Sequence, residues 1–281
     1  ETFNCNGRYK RIKCHGHHGD VNLYEAIEQS CNPYFVHKGR LLKGNRLNKL
    51  YKEAGIGHFA LEFERFNAYK TNKVADPFQG NLPDPTNIEQ NPSTRPWYLG
   101  DSGYIAIGQG KITASPLQVC LYTAGIANNG TIMKPHLLQE VRNSKTNKPV
   151  LKTDPLIMSI MDIDKQHFAT VKEAMYQVVY GNKASAPKSR TDIFEIAGKT
   201  GTAQNFYSTY KRDENGNFLK NVDGQRIKVR KKLLYTWFTS FAPYNNPEYA
   251  LTIMIEDGKS GGTTCAPLAK EFYDTYFSAA D

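Results

Sequence analysis

Three strand-like runs crowd the last third of the chain, EIAGKTGTAQNF (195–206), LLYTWFTSFAPY (233–244) and EYALTIMIED (248–257), and all but one of the clear helical patterns precede them. Tyr244-Asn245-Asn246-Pro247 supplies a turn between the last two, which therefore read as adjacent antiparallel strands. A closing helix runs from Pro267 through Leu268, Phe272, Tyr273 and Tyr276. Helices first, strands last and a helix to close predict an α+β fold, an antiparallel sheet flanked by helices, rather than a doubly wound parallel sheet.

The helical starts are legible from their caps. Asn22 followed by Glu25 is a capping-box pattern, with Leu23, Ala26 and Ile27 at helical spacing and an end expected near Ser30. Asn32-Pro33 then reads as an N-cap followed by proline at the first helical position, opening a second helix through Tyr34, Phe35 and Val36. Ser30-Cys31-Asn32 is thus placed at a junction between two helices. Ser115 and Pro116 open another helix, with Leu117, Cys120, Leu121 and Ala124 on one face, apolar enough to be central. A further one spans DKQHFATVKEAMYQVVY with the stripe Phe168, Val171, Ala174 and Met175.

Two segments resist this reading. Residues 67–95, rich in Asn, Pro, Asp and Thr, read as a long surface loop or a small subdomain wrapped on the main body. Residues 207–232 carry turn signals at Asn215-Gly216 and Asp223-Gly224 among clustered cations. They are either a solvated hairpin insertion or a basic flap that attracts an anionic partner.

The chain is taken as one domain over residues 1–281. Its net charge of +9 favours an acidic polymer, an anionic membrane surface or nucleic acid as neighbour. Nucleic acid is disfavoured by the lack of a zinc finger, an RNP-like aromatic motif or an arginine-rich tract. No stretch approaches the roughly eighteen apolar residues of a membrane span, and the first residues resemble neither signal peptide nor anchor. The chain starts at Glu1 without a methionine, so a longer parent protein is expected.

Lys199-Thr200-Gly201 has a chemical use at the edge of a cleft. Side chains alternate along a strand, so Lys199 and Gly201 face one side and Thr200 and Thr202 the other. The glycine leaves room for a substrate backbone beside the ammonium. Alone, K-T-G is a weak signal. It gains meaning from Ser30-Cys31-Asn32 upstream, because penicillin-binding proteins and class A β-lactamases share the set S-x-x-K, S-D-N and K-T-G.

HHGDVNLYEAIEQSCNPYF, PWYLGDSGYIAIGQGKITASPLQV, GKTGTAQNF and FAPYNNPEYALTIMIEDG extend the likeness over most of the chain. It resembles the transpeptidase domain of the elongation-type class B penicillin-binding proteins. That resemblance implies a peptidoglycan D,D-transpeptidase of the serine type, working in lateral cell-wall elongation, with stem peptides as substrate and β-lactams as mimics. It implies a periplasmic catalytic domain on an inner-membrane anchor upstream, and a membrane-embedded glycan polymerase with its elongation complex as partners. Ser30 would relay a proton to the leaving amine, Asn32 would hold the substrate amide and the lysine of S-x-x-K, and Lys199 would draw in the terminal carboxylate. Thr200 or Thr202 would hydrogen-bond that carboxylate, and the Thr202 N–H would help form the oxyanion hole, where one donor is typically worth about 3 kcal/mol. Trp97, Tyr98, Asp101 and Gly108-Gln109-Gly110 belong to the matching blocks and are expected to pack rather than react.

In that family S-x-x-K precedes the S-x-N serine by several tens of residues, and Glu1 is too close to Ser30 to allow it. Ser185-Ala186-Pro187-Lys188 and Ser208-Thr209-Tyr210-Lys211 match formally but in the wrong order, and read as chance. The expectation is a C-terminal part of the domain, without its nucleophile and not acylated by itself.

Cys5, Cys14, His18 and Cys31 form a possible Cys3His set of structural-zinc type, although not at zinc-finger spacing. His15 or His17 could replace His18. Some relatives appear to carry zinc in this region, with a histidine and the cysteine after the motif serine among the ligands. A Cys5–Cys14 disulfide and free thiols are the alternatives, and Cys120 and Cys265 read as buried small hydrophobes. A β-lactamase or β-lactam sensor, and a non-catalytic metal-binding interaction module, are the rival functions.

Overall fold

The computed structural model describes residues 1–57, 80–86 and 96–278. Most of the 67–95 segment, read above as a loop or small subdomain, lies outside them. In chain order the elements are β1 (Phe3–Cys5), β2 (Arg8–Tyr9), β3 (Ile12–Lys13), β4 (Gly19–Val21), α1 (Leu23–Glu28), α2 (Asn32–Glu53), α3 (Leu99–Ile105) and α4 (Pro116–Ala127). Then come β5 (Thr131–Met133), β6 (Glu140–Arg142), β7 (Pro149–Lys152), β8 (Ile157–Ile160), α5 (Lys165–Tyr180), β9 (Ala197–Tyr210), β10 (Lys228–Ala242), β11 (Tyr249–Glu256) and α6 (Ala266–Ser278). This is the α+β order expected from the strand runs.

The main sheet has the order β11-β10-β9 and is antiparallel throughout, which leaves β9 as an edge. Helices cover both of its faces. On one, Ile196, Phe238 and Ala242 pack with Ile27 of α1, Val178 of α5 and Ala269 and Tyr273 of α6. On the other, Ala197 and Phe241 meet Ile126 of α4 and Met175 of α5. Phe238, Phe241 and Tyr273 are fully buried, and each such side chain contributes about 1.5–3 kcal/mol by leaving water. The Tyr273 hydroxyl is satisfied by Ser240 Oγ at 3.0 Å, so its burial carries no unpaired polar atom.

The caps behave as their residues dictate, with one shift. Asn22 and Glu25 make the reciprocal capping box of α1, Ser115 caps α4 with Pro116 in its first turn, and Asp164 caps α5. At α2, however, the N-cap is Cys31, and Asn32 and Pro33 already lie in the helix. An N-cap asparagine would spend its side chain on the helix backbone, and Asn32 is released from that role. Helix α4 also departs from the expected apolar face, since its buried residues are Gln118, Thr123, Gly125 and Ile126. Its sequence is apolar nearly all round, so hydrogen bonding selects the buried side: Thr123 Oγ1 meets Thr239 Oγ1 at 2.7 Å and Gln118 Nε2 donates to the Gly55 carbonyl at 3.3 Å.

Trp97 and Asp101 brace the start of α3, whereas the Tyr98 side chain, expected to pack, is 58% exposed. Trp97 Nε1 donates to Ser102 Oγ at 2.9 Å and the Asp101 carboxylate accepts from the Tyr98 N–H at 2.9 Å, fixing the start of α3. Gly108 and Gly110 both have positive φ, which explains glycine at these two loop positions. No described helix is long and apolar enough to cross a membrane.

Candidate active site

Helix α1 ends in a Schellman motif: the Ser30 N–H donates to the Ile27 carbonyl at 3.2 Å and the Cys31 N–H to the Ala26 carbonyl at 2.8 Å. Ser30 occupies the left-handed position, φ 52°, where glycine is usual. A side chain there costs on the order of 1 kcal/mol. What the strain gives in return is a hydroxyl thrown clear of the helix end toward the sheet edge. Two residues on, Asn32 is freed from capping, and its Nδ2 donates to the Lys13 carbonyl at 3.3 Å.

Lys199 reaches this junction from β9. Its Nζ donates to Ser30 Oγ and to the Thr200 carbonyl at 3.0 Å, and approaches Thr200 Oγ1 at 3.4 Å. The strand alternates as expected, with Lys199 and Gly201 opposite Thr239 and Trp237, and Thr200 and Thr202 opposite Phe238 and Thr236. Yet the lysine chain is long enough to bend back over the edge. Alternation of the Cβ atoms therefore does not separate its ammonium from the Thr200 hydroxyl.

Burial pushes the Lys199 pKa down to about 8. The group stays charged at neutral pH, yet it lies near enough to that range to exchange a proton. A hydroxyl accepting from an ammonium keeps its own proton to donate, so the Lys199–Ser30 pair is built to pass protons.

The sign for stability follows from linkage. A base whose folded pKa lies below its unfolded value near 10.5 binds fewer protons when folded, so stability rises with pH between about 8 and 10.5. Below pH 8 the charged ammonium carries its full desolvation cost. Lys199→Met is expected to raise the melting temperature at pH 7 by about 2–4 °C, with the gain shrinking across that window. Melting curves over a pH series check it, and a pH-independent difference contradicts it.

Sequence reasoning missed what stands behind K-T-G. Thr200 Oγ1 contacts Ser185 Oγ at 3.4 Å, Ser185 Oγ donates to the Glu28 carbonyl at 2.8 Å, and the buried Glu28 carboxylate accepts from the Lys183 N–H at 2.6 Å. By spacing alone, Ser185 is a chance S-x-x-K match. It is not part of a helical Ser-Lys pair, since it precedes the short 3-10 turn Pro187–Ser189 and Lys188 is exposed. Only its neighbour across the fold gives it a place here, and no local spacing signals that.

A short π-helical turn, Gly261–Cys265, packs against the same strand, and the Gly261 N–H points to Thr202 Oγ1 at 3.4 Å. A Cβ at Gly261 would overlap the Trp237 carbonyl oxygen and lie 2.8 Å from the Gly201 carbonyl oxygen. Gly261→Ala is expected to cost about 1–3 kcal/mol of stability, because the K-T-G backbone must shift to admit it. Urea melts measure this, and an unchanged midpoint would count against the close packing.

Next to Ser30, the fold gathers Cys5 from β1, Cys14 after β3, His18 before β4, and Cys31. Their ligand atoms all lie within 4.8 Å of one another. Of the three candidate histidines, His18 is the one in this group, with Nδ1 3.7 Å from Cys14 Sγ. Cys31 is fully buried in the cluster with Cys5, Val21, Ala26 and Tyr34, whereas Ser30 contacts Lys199. A hydrogen bond from Cys31 lowers the Cys14 pKa to about 3 and holds the Cys31 thiol well above its usual range. Burial lowers the His18 pKa, which favours the neutral imidazole. None of the five cysteines is joined in a disulfide; Cys265 is buried and Cys120 half-buried.

A separate cavity of about 590 Å³ lies at the break in α2, where Lys43 has φ 63°, and is lined by Lys43, Arg46, Trp97 and Leu99 among others. Ser30, Asn32 and Lys199 take no part in it.

With S-x-N and K-T-G joined in one cluster, comparison with known proteins settles the family. Residues 1–274 match the penicillin binding protein transpeptidase domain. The chain belongs to this family. It is 31% identical over 280 residues to the peptidoglycan D,D-transpeptidase MrdA of Haemophilus influenzae, covering 98% of this chain and 39% of that protein. Penicillin-binding protein 2 of Pseudomonas aeruginosa, solved in complex with WCK 5153, superposes with a TM-score of 0.68 at 26% identity, over 98% of this chain and 53% of that one. The penicillin-binding protein 2 of Helicobacter pylori, in its complex with MreC, has the same fold, with a TM-score of 0.67 at 24% identity over 99% of this chain and 46% of that one. The chain thus spans well under two thirds of the length of these relatives.

Proposed function

We propose that this chain is the C-terminal part of a serine D,D-transpeptidase domain that cross-links peptidoglycan stem peptides during lateral cell-wall elongation. The observation that carries the reading is the Lys199–Ser30 hydrogen bond, which joins S-x-N to K-T-G across 169 residues of sequence. The nucleophilic serine of S-x-x-K comes from an upstream segment of the parent protein. It attacks the carbonyl of the D-Ala-D-Ala bond, the C–N bond breaks, and the leaving amine takes a proton through Ser30, which Lys199 keeps polarised. An amine of a neighbouring stem peptide then attacks the ester and releases the serine.

The remaining residues position the substrate. Lys199, Thr200 and Thr202 receive the terminal carboxylate, Gly201 admits the substrate backbone, the Thr202 N–H faces the developing oxyanion, and Asn32 holds the substrate amide and the S-x-x-K lysine. β-Lactams enter as mimics of the same peptide. The parent protein is anchored in the inner membrane with this domain in the periplasm. It works beside a glycan polymerase and elongation proteins, of which the MreC bound by the Helicobacter relative is one kind.

Cys5, Cys14, His18 and Cys31 would hold a structural zinc ion. Three thiolates and a neutral imidazole suit that metal, and ligand spacings within 4.8 Å need only slight contraction toward the ~3.8 Å sulfur spacing of a tetrahedral site. The ion, when bound, would clamp the Ser30–Asn32 junction. Covalent labelling of the intact parent protein by a fluorescent penicillin tests the enzymatic reading. A labelled protein that releases penicilloate over many turnovers would instead be a β-lactamase.

A further inference from the structure

β9 and β10 do not stop at the body of the protein. β11 pairs with β10 only from Tyr235 to Ala242, whereas β9 and β10 remain paired out to Tyr210 and Lys228. Beyond Gln204 and Leu234 the sheet is therefore a two-stranded ribbon, and Gln204 to Tyr210 alone spans about 20 Å. Its tip is closed by two turns at Gly216 and Gly224, drawn together where Lys211, Leu219 and Ile227 exchange backbone hydrogen bonds. No residue from 204 to 232 is buried.

A ribbon with no core is marginal by itself, and this one is braced by stacked cations. Arg212 lies 3.8 Å and Arg226 4.3 Å from the centre of the Phe218 ring, and Arg230 4.2 Å from that of Phe206. Arg212 Nη1 also donates to the Gly216 carbonyl at 2.6 Å, whereas Arg226 and Arg230 are exposed, so stacking orders these two guanidiniums while leaving N–H groups for bidentate carboxylate contacts. Residues 204–232 hold eight cations against three acids, a net +5 of the chain's +9. Asp213 is already engaged by the Asn215 and Asn217 N–H groups and Asp223 by Asn221 Nδ2. Among the described residues, no ion pair involves any of these cations. A solvated hairpin needs no such concentration of uncompensated charge.

We propose that the 204–232 ribbon is a docking surface for the acidic stem peptides of uncross-linked peptidoglycan, collecting them along the β9 edge that leads to Lys199. Charge complementarity selects a carboxylate-rich polymer, and continuity of the strand with K-T-G selects the one whose peptide is processed there. The proposal rests on the transpeptidase reading and deepens it by giving the substrate strand a second, electrostatic foothold. The field of the ribbon raises the local concentration of the polyanion, so the interaction weakens as salt rises.

The test is co-sedimentation of the chain with purified, insoluble peptidoglycan. The wild-type chain is expected to pellet, to be released by rising salt, and to lose binding at least tenfold when the peptidoglycan carboxylates are amidated. The variant Lys228→Glu, Arg230→Glu, Lys231→Glu, Lys232→Glu, checked for an unchanged melting temperature, is expected to show the same tenfold loss. Equal pelleting of the variant and wild type, or indifference to amidation, overturns the proposal. So does retention on phosphatidylglycerol vesicles with none on peptidoglycan, which would make the ribbon a membrane contact. Penicillin labelling involves none of these four residues, so a failure of the enzymatic reading is seen there and not here.

Discussion

Lys199→Ala lowers the rate of β-lactam acylation of the intact transpeptidase by at least about 100-fold, the scale on which a preorganised polar group of an acyl-transfer site is felt. The ammonium donates to Ser30 Oγ and, in the proposed function, also receives the substrate carboxylate. Its loss removes the charge that attracts the carboxylate and the donor that keeps the Ser30 proton pointed away from Lys199. Lys199→Arg keeps the charge but not the point-like geometry and recovers only a small part of the rate. Stopped-flow acylation with a chromogenic β-lactam measures both variants. A Lys199→Ala protein acylated as fast as wild type would refute the roles given to Lys199 and Ser30 together.

Loss of the proposed zinc site is expected to act on stability instead. Folding free energy and metal binding are coupled where the ligands are brought together only by the fold, as with Cys5, Cys14, His18 and Cys31, which come from separate short elements. Cys14→Ser or Cys31→Ser lowers the melting temperature of the metal-loaded chain by roughly 10 °C or more, and a strong chelator does the same to wild type. Elemental analysis of protein purified without chelator gives close to one zinc per chain. Protein free of zinc, with melting indifferent to chelator, would remove the metal and leave a cluster of thiols. Because Asn32 Nδ2 donates to the carbonyl of Lys13, next to Cys14, disorder in this region also reaches the S-x-N motif.

What the sequence disclosed depended on how local the determining physics was. The Asn22–Glu25 capping box, the Ser115-Pro116 start and the alternation along 195–206 are decided within a few residues, and all appear in the fold. The S-x-N and K-T-G motifs and the four metal-type ligands were nameable because their chemistry is written in residue type. Three features were not legible. The left-handed Ser30 at the end of α1 makes Cys31, not Asn32, the N-cap of α2, and proline at either of the first two helical positions leaves that one-residue ambiguity open. Ser185 enters the site only through contacts with Glu28 and Thr200, 157 and 15 residues away. The reach of the β9–β10 ribbon depends on pairing between distant segments, and the polar composition of 207–232 concealed strand structure behind its turn signals.

The most direct measurement is intact-protein mass spectrometry after exposure to benzylpenicillin. The account predicts a single penicilloyl adduct on the parent protein, on the serine of its upstream S-x-x-K segment, and none on residues 1–281 alone. No adduct on the parent, or one on Ser185 or Ser208 of this chain, would contradict it.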